Sequence, residues 1–316
     1  MIGILGSGFG LYGYLPAIVK STNDKIMLLE RYKAKFDNRM ELVNFRERII
    51  WSKDEHSLLN NSESIILSLP PTFQKTIVEK CFNYPNIEKI ILEKPLSTSP
   101  SLSTPLLKTL FNSHKVFRIG YTFQYTDWGI KLLDLLASKD KSHNIKIEWS
   151  FMAHHYKNNL DNWKRYNSFG GSVIRFYGIH LIALSALLGY DSVSHSKSYG
   201  FSENDIFKWE SALVNDLLPS LDISINSNSD KQGFSVKIYS DDCSTNKPIF
   251  QIEKFDPFTD VYSSYVNKID PRVDILTNII ESLNDDNNSY YYNYYDNCNK
   301  LWHKIEECNI NIVLDP

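Results

Sequence analysis

Residues 6–11 read Gly-Ser-Gly-Phe-Gly-Leu, directly after the apolar stretch Ile2-Gly3-Ile4-Leu5 and before a segment with helical spacing. Gly6 permits a tight turn there. Gly8 lets backbone amides approach a diphosphate, which then rests at the positive end of the following helix. Phe9 and Gly10 complete the turn. The dinucleotide fingerprint puts its third glycine at position 11, whereas this chain has Leu11 there and Gly10 one place early. A plain βα turn also uses glycines, for positive φ. About 20 residues further on, an acid ending the second strand accepts hydrogen bonds from an adenosine ribose. Glu30 holds that place, with Arg31 and Lys33 behind it. Glu30 favours NAD. Arg31 would accommodate the extra phosphate of NADP, and a solvated strand end has the same composition.

These residues need a parallel sheet to carry them. Strand-like segments at Ile2–Leu5, Lys25–Leu29, Ser64–Leu69, Glu88–Leu92 and Lys115–Ile119 alternate with helix-like segments at Gly10–Lys20, Phe73–Phe82 and Ser103–Asn112. That alternation implies βαβ units with right-handed crossovers, an α/β Rossmann domain with a doubly wound parallel sheet over residues 1–120. The pattern then changes. Helices are expected over about Tyr125–Ala137, Gly171–Leu188, Pro271–Leu283 and Tyr291–Cys308. Strands are expected at Asn144–Ala153, Val193–Phe201, Trp209–Leu217, Leu221–Ile225, Phe234–Tyr239 and Ile249–Phe255. Residues 121–316 therefore read as an α+β domain with a largely antiparallel open sheet.

Further segments complete a set. Ser64–Pro71 reads SIILSLPP, a buried strand ending in Pro70 and Pro71. Glu93-Lys94-Pro95 follows the strand IEKIIL, Gly120-Tyr121 opens the second domain, and Gly170-Gly171 precedes Gly178-Ile179-His180-Leu181-Ile182. In this order and spacing the chain resembles the glucose-fructose oxidoreductase / inositol dehydrogenase / rhizopine catabolism (Gfo/Idh/MocA) family, over about residues 1–190 by motif and the remainder by pattern.

The resemblance implies an NAD- or NADP-dependent dehydrogenase or reductase acting on CH–OH or C=O groups of a sugar, nucleotide-sugar or similar small polar molecule. Pro70, Glu93 and Lys94 join the glycine turn around the cofactor. Lys94 takes the role of the cation that stabilises a developing alkoxide, and Pro95 could aim it through a cis bond. His180 takes the acid/base role, which its ordinary pKa suits. A histidine that merely packs in the core is the rival reading. The family pattern has an Asp four residues before this His; here the position is Phe176, flanked by Arg175 and Tyr177 at about 100° to either side on a regular helix. Tyr121, Trp163 and Tyr177 are expected to face the substrate, Trp163 together with Lys164 and Arg165. His154 and His155 fall on an expected strand and so point to opposite faces, which argues against a metal chelate; no metal site is expected. The family commonly covers the outer face of the second sheet with another subunit, so a homo-oligomer is expected, with apolar sheet surface marking the contact.

Composition agrees with this class. The chain has 316 residues, a formal net charge of −3 and 22% charged residues, so nothing marks a nucleic-acid surface. No apolar run approaches the roughly 18–20 residues of a membrane span. Met1 leads straight into an apolar strand without a basic leader, which argues against a signal peptide. Cys81, Cys243, Cys298 and Cys308 form no CxxC pair and read as reduced thiols of a cytoplasmic protein. Two rivals stand beside the oxidoreductase. One is a dinucleotide-binding scaffold of the same fold, impaired by Phe176. The other is an imine or tetrapyrrole reductase with a different acid/base.

Overall fold

The computed structural model describes residues 1–137, 143–240, 247–260 and 268–314. The chain divides into two compact units. One takes Met1–Ser97, Pro105–Thr122 and Ser263–Tyr292; the other takes Thr98–Thr104, Phe123–Tyr262 and Asn293–Pro316. A single boundary near residue 120 does not describe this division, because a late segment completes the first unit.

The first unit holds six strands: β1 (Ile2–Leu5), β2 (Ile26–Leu29), β3 (Ile49–Ser52), β4 (Ser64–Leu67), β5 (Lys89–Leu92) and β6 (Val116–Ile119). Their order is β3-β2-β1-β4-β5-β6, and every pairing is parallel. β1 and β2 are buried along their whole length, as strands covered on both faces by helices must be. The covering helices are α1 (Leu15–Ser21), α2 (Lys33–Asp37), α3 (Glu55–Asn60), α4 (Pro71–Cys81) and α5 (Pro100–Asn112). Strand order reverses between β1 and β4. Ligands of open parallel sheets bind at such a reversal, beyond the carboxyl ends of the strands.

The second unit contains α6 (Asp127–Leu136), β7 (His143–Met152), α7 (His154–Lys157), α8 (Ile179–Leu188), β8 (Ser192–Gly200), β9 (Ile206–Val214), β10 (Ser220–Asn226), β11 (Asn228–Ser240) and β12 (Phe250–Lys254). Helix α9 (Val273–Glu281) belongs to the first unit and packs on α1, with Lys20 paired to Asp274 at 2.6 Å. Helix α10 (Asn288–Glu307) and β13 (Asn309–Val313) close the chain. The second sheet runs β12-β11-β7-β10-β9-β8-β13; β7/β10 and β8/β13 are parallel and the rest antiparallel.

Period-two alternation gives this sheet one apolar face. Ile145, Ile147 and Trp149 of β7 lie beside Leu221, Ile223 and Ile225 of β10, all buried. The other face is not the apolar surface expected for a subunit contact. It carries Lys146–Glu148 at 2.9 Å, Lys208–Glu210 at 2.8 Å, Asp222 and Lys237, because the alternate positions of these strands are charged.

Helix α8 lies on the apolar face. Gly178 lets it approach closely, since a Cβ there would stand 3.1 Å from the Trp209 ring. The helical stretch Asn167–Leu188 is long and apolar enough to cross a membrane by length and composition, which the sequence reading did not register. Burial of 72% of its apolar window accounts for that composition as a core helix.

Candidate functional site

Backbone bonds stitch the carboxyl ends of neighbouring strands in the first unit. Ser68 donates to Leu5 O at 2.8 Å, Glu93 to Leu67 O at 3.1 Å and Gly120 to Leu92 O at 2.8 Å. These bonds bring the glycine turn after β1, the Ser68–Pro71 turn after β4 and the Glu93-Lys94-Pro95 turn after β5 to one edge. Three segments read separately in the sequence thus become neighbours.

Gly6 has φ +133°, and a Cβ there would fall 2.1 Å from Ser68 O, so no other residue fits. Around Gly8 no atom comes within 4 Å of an added Cβ. Gly10 lies against β1, its would-be Cβ 2.9 Å from Ile4 Cγ2. It therefore supplies the helix–strand closeness that the fingerprint assigns to its third glycine. The early position goes with a local change of helix type: Gly10–Tyr14 is a π turn, and α1 begins only at Leu15.

Side chains missed by sequence reasoning hold this edge. Tyr32, just past β2, accepts a hydrogen bond from Gly6 N at 3.2 Å, and Lys35 donates to Ser7 Oγ at 2.9 Å. Glu30 and Arg31 are exposed at the carboxyl end of β2, and Pro70 is half-buried at the start of α4. Gln74 on α4 donates to the carbonyls of Glu93 and Pro95, and so grips the turn that carries Lys94. The Lys94–Pro95 peptide is cis, as the sequence reading allowed. Lys94 is half-buried. Burial pushes the Glu93 carboxyl above its ordinary range, against the opposing effects of Lys94, a Tyr14 hydrogen bond and Arg272. Tyr121 is fully buried rather than open.

In the second unit, His180 is buried on α8 and stacks on Phe123 at 4.9 Å. Val173–Gly178 is a π turn, so the spacing from Phe176 to His180 spans a π/α junction and is not one regular helical turn. The flanking geometry expected for a regular helix is corrected accordingly. Arg175 is committed elsewhere: it pairs with both Glu306 oxygens at 2.7 Å and donates to Thr98 O and Asn167 O.

Trp163 and Tyr177, singled out separately in the sequence, meet on Phe176, with edge contacts at 5.3 and 4.8 Å. Lys164 Nζ stands 5.2 Å above the same ring. Tyr177 also packs against Phe151 and Trp149 at 4.7 and 5.7 Å. An aromatic cluster fills the region where the resemblance calls for a carboxylate.

His154 and His155 are not on a strand. The ladder of β7 ends at Met152, and the chain turns at Ala153 into α7, leaving His154 exposed and His155 buried. Arg165, grouped with Trp163 in the sequence, instead forms a 2.7 Å ion pair with Asp205, which also accepts from Tyr156 at 2.7 Å. Among the described residues no group of three or more His, Cys, Asp or Glu could hold a metal, and Cys81, Cys298 and Cys308 are not disulfide-bonded. Cys243 lies outside the described residues.

No protein-family model and no curated protein matches the chain. Solved structures do. KijD10, a 3-ketoreductase from Actinomadura kijaniata in complex with NADP and TDP-benzene, is 11% identical, with 98% of each chain covered and a TM-score of 0.69. The WlbA dehydrogenase from Chromobacterium violaceum, in complex with NADH and UDP-GlcNAcA, is 10% identical, covering 97% of this chain and 93% of its own, at 0.67. A Gfo/Idh/MocA family oxidoreductase from Vibrio cholerae is 13% identical, covering 97% and 96%, at 0.67. With its six-stranded parallel sheet and separate, largely antiparallel second sheet, the chain has the fold of the Gfo/Idh/MocA family of oxidoreductases.

Proposed function

We propose that this chain is an NAD(P)-dependent oxidoreductase acting on a CH–OH or C=O carbon of a sugar or nucleotide-sugar. The observation that carries this reading is the convergence of the glycine turn, Pro70 and the Glu93-Lys94-Pro95 turn at the carboxyl edge of β1, β4 and β5, where strand order reverses. The turn fits a dinucleotide. Gly8 has open space on its Cβ side, and Gly6 keeps the backbone in a shape that only glycine adopts readily.

Gly6, Gly8, Phe9 and Gly10 hold the diphosphate, and Glu30 and Arg31 border the adenosine ribose. A nicotinamide held there would supply or accept the hydride. Lys94 donates to the reacting oxygen and stabilises negative charge developing there. His180, in the second unit, is the residue proposed for proton exchange with the substrate. Trp163 and Tyr177, set on Phe176, present aromatic surface to a sugar ring or base. KijD10 and WlbA, crystallised with NADP or NADH and with nucleoside-diphosphate ligands, support the substrate class.

Fluorescence titration with NADH and NADPH, followed by absorbance assays on keto-sugars and nucleotide-sugars, tests the reading. Saturable binding and turnover are expected; absence of any saturable signal counts against it.

A second reading has one specific observation in its favour. Phe176 is engaged in the aromatic cluster, so no carboxylate orients His180 from that position. A dinucleotide-binding scaffold without turnover would show tight NAD(P)H binding and no oxidation of it with any substrate of the panel.

A further inference from the structure

We propose that Arg272 is a positioning residue of the dinucleotide site, clamping Phe9 so that the glycine turn keeps the shape that receives a diphosphate. This rests on the dinucleotide reading and adds a residue from the far end of the chain to it. Phe9 stands between Gly8, whose Cβ side is open, and Gly10, which lies against Ile4 of β1. Its ring folds back onto Gly13, where an added Cβ would lie 2.4 Å from the ring, so Gly13 makes the seat. Tyr12 and Tyr14 flank the ring edge-on at 5.3 and 5.5 Å. Arg272 covers it with its guanidinium carbon 4.2 Å from the ring centroid.

Arg272 is itself aimed. Asp270 takes Nε at 2.8 Å and Nη2 at 2.7 Å in a bidentate pair, which fixes the plane of the guanidinium. Arg272 also hydrogen-bonds Tyr12, and its charge is felt by Glu93. One side chain thereby contacts both the glycine turn and the first helical turn. The pairing with Asp270 sets charge against charge, so Arg272 contributes geometry to the turn more than net attraction for an anion.

The test uses the full-length chain and NADH and NADPH fluorescence titrations. The variants are R272K, R272M, F9L and the double variant F9L/R272K. R272K keeps a cation for Asp270 and loses the planar cover of the ring. Loss of one stacking contact is expected to weaken the Kd by about tenfold. F9L is expected to weaken it comparably. The double variant is expected to bind no more weakly than the weaker single, because both changes remove the same contact. R272M is expected to match R272K, with melting temperature read alongside to separate binding from unfolding.

A Kd for R272K within twofold of the unaltered chain overturns the proposal, as does full additivity in the double variant. If R272M does not fold, the R272K and F9L pair still decides. No saturation with the unaltered chain overturns the dinucleotide reading itself. Saturation there with R272K unchanged overturns the clamp alone.

Discussion

The side-chain amide of Gln74 donates to the carbonyl oxygen of Pro95 at 2.8 Å, and the same nitrogen reaches the carbonyl of Glu93 at 2.8 Å. Gln74 is fully buried. It therefore closes the turn on both sides of Lys94 from a helix that follows a different strand. Gln74→Met removes both donors and leaves two carbonyls without them, at a cost of about 1–3 kcal/mol. In the proposed enzyme, kcat is expected to fall roughly tenfold through misplacement of Lys94, with NAD(P)H affinity unchanged. Urea denaturation and steady-state kinetics measure the two effects. Unaltered kcat in a destabilised variant would reduce Gln74 to a packing residue.

Gly6 and Gly8 are expected to respond differently to the same substitution. Gly6→Ala places a methyl against Ser68 O at a positive φ. The turn must then rebuild, and both stability and dinucleotide binding are lost. Gly8→Ala meets no atom within 4 Å, so the fold is expected to be retained while the added methyl occupies the side that the proposed site gives to a diphosphate. Melting curves with NADH titration distinguish the two. Equal binding by Gly8→Ala and the unaltered chain would remove Gly8 from the site.

Lys94→Met is expected to reduce kcat/KM by about a hundredfold or more, the usual effect of removing a group that stabilises charge in the transition state. The Kd for NAD(P)H is expected to stay within about threefold, since in the proposed site backbone amides would hold the diphosphate. Retained turnover in this variant would exclude Lys94 from the chemistry.

Burial pushes the His155 imidazole down to about 4, with Lys164 and Arg165 acting in the same direction and Asp205 against them. The group's ordinary value is 6.5. Between the two, the unfolded chain takes up a proton that the folded chain refuses. The stability contributed by neutral His155 is complete above the upper value and is lost as pH falls toward the lower one. Replacing His155 with Phe removes that titration. Melting temperature is expected to fall more steeply with acidification in the unaltered chain than in the variant, and parallel slopes would contradict this assignment.

The Rossmann elements were legible because fully buried strands leave continuous apolar runs, as in Ile26-Met27-Leu28-Leu29 and Ser64–Leu67. Two edge strands escaped. β3 follows charged residues and is only partly buried, and β13 alternates Asn with Ile along an edge. Edge strands bury less, so they carry a weaker hydrophobic signal. The glycine turn and the Glu93-Lys94-Pro95 motif were visible as local strings. Gln74, Tyr32 and Arg272 were not, because the turn residues they hold, Glu93, Gly6 and Phe9, stand 19 or more residues away and only the fold supplies them. The π turns at Gly10 and Val173 left no mark in composition. Period two carried the second sheet's buried face correctly and said nothing of the opposite face, where lysines and glutamates stand in place of apolar surface.

Residues 263–292 rejoin a unit whose first strand begins at Ile2, with almost the whole second unit encoded in between. α9 therefore cannot cover α1, nor can Arg272 reach Phe9, until the intervening second-unit segment has left the ribosome. Until then the nascent N-terminal portion lacks part of its apolar cover. Cutting the gene at any one point between the two ends of the first unit severs that unit, so moving it intact between homologues by simple fusion requires at least two splice points.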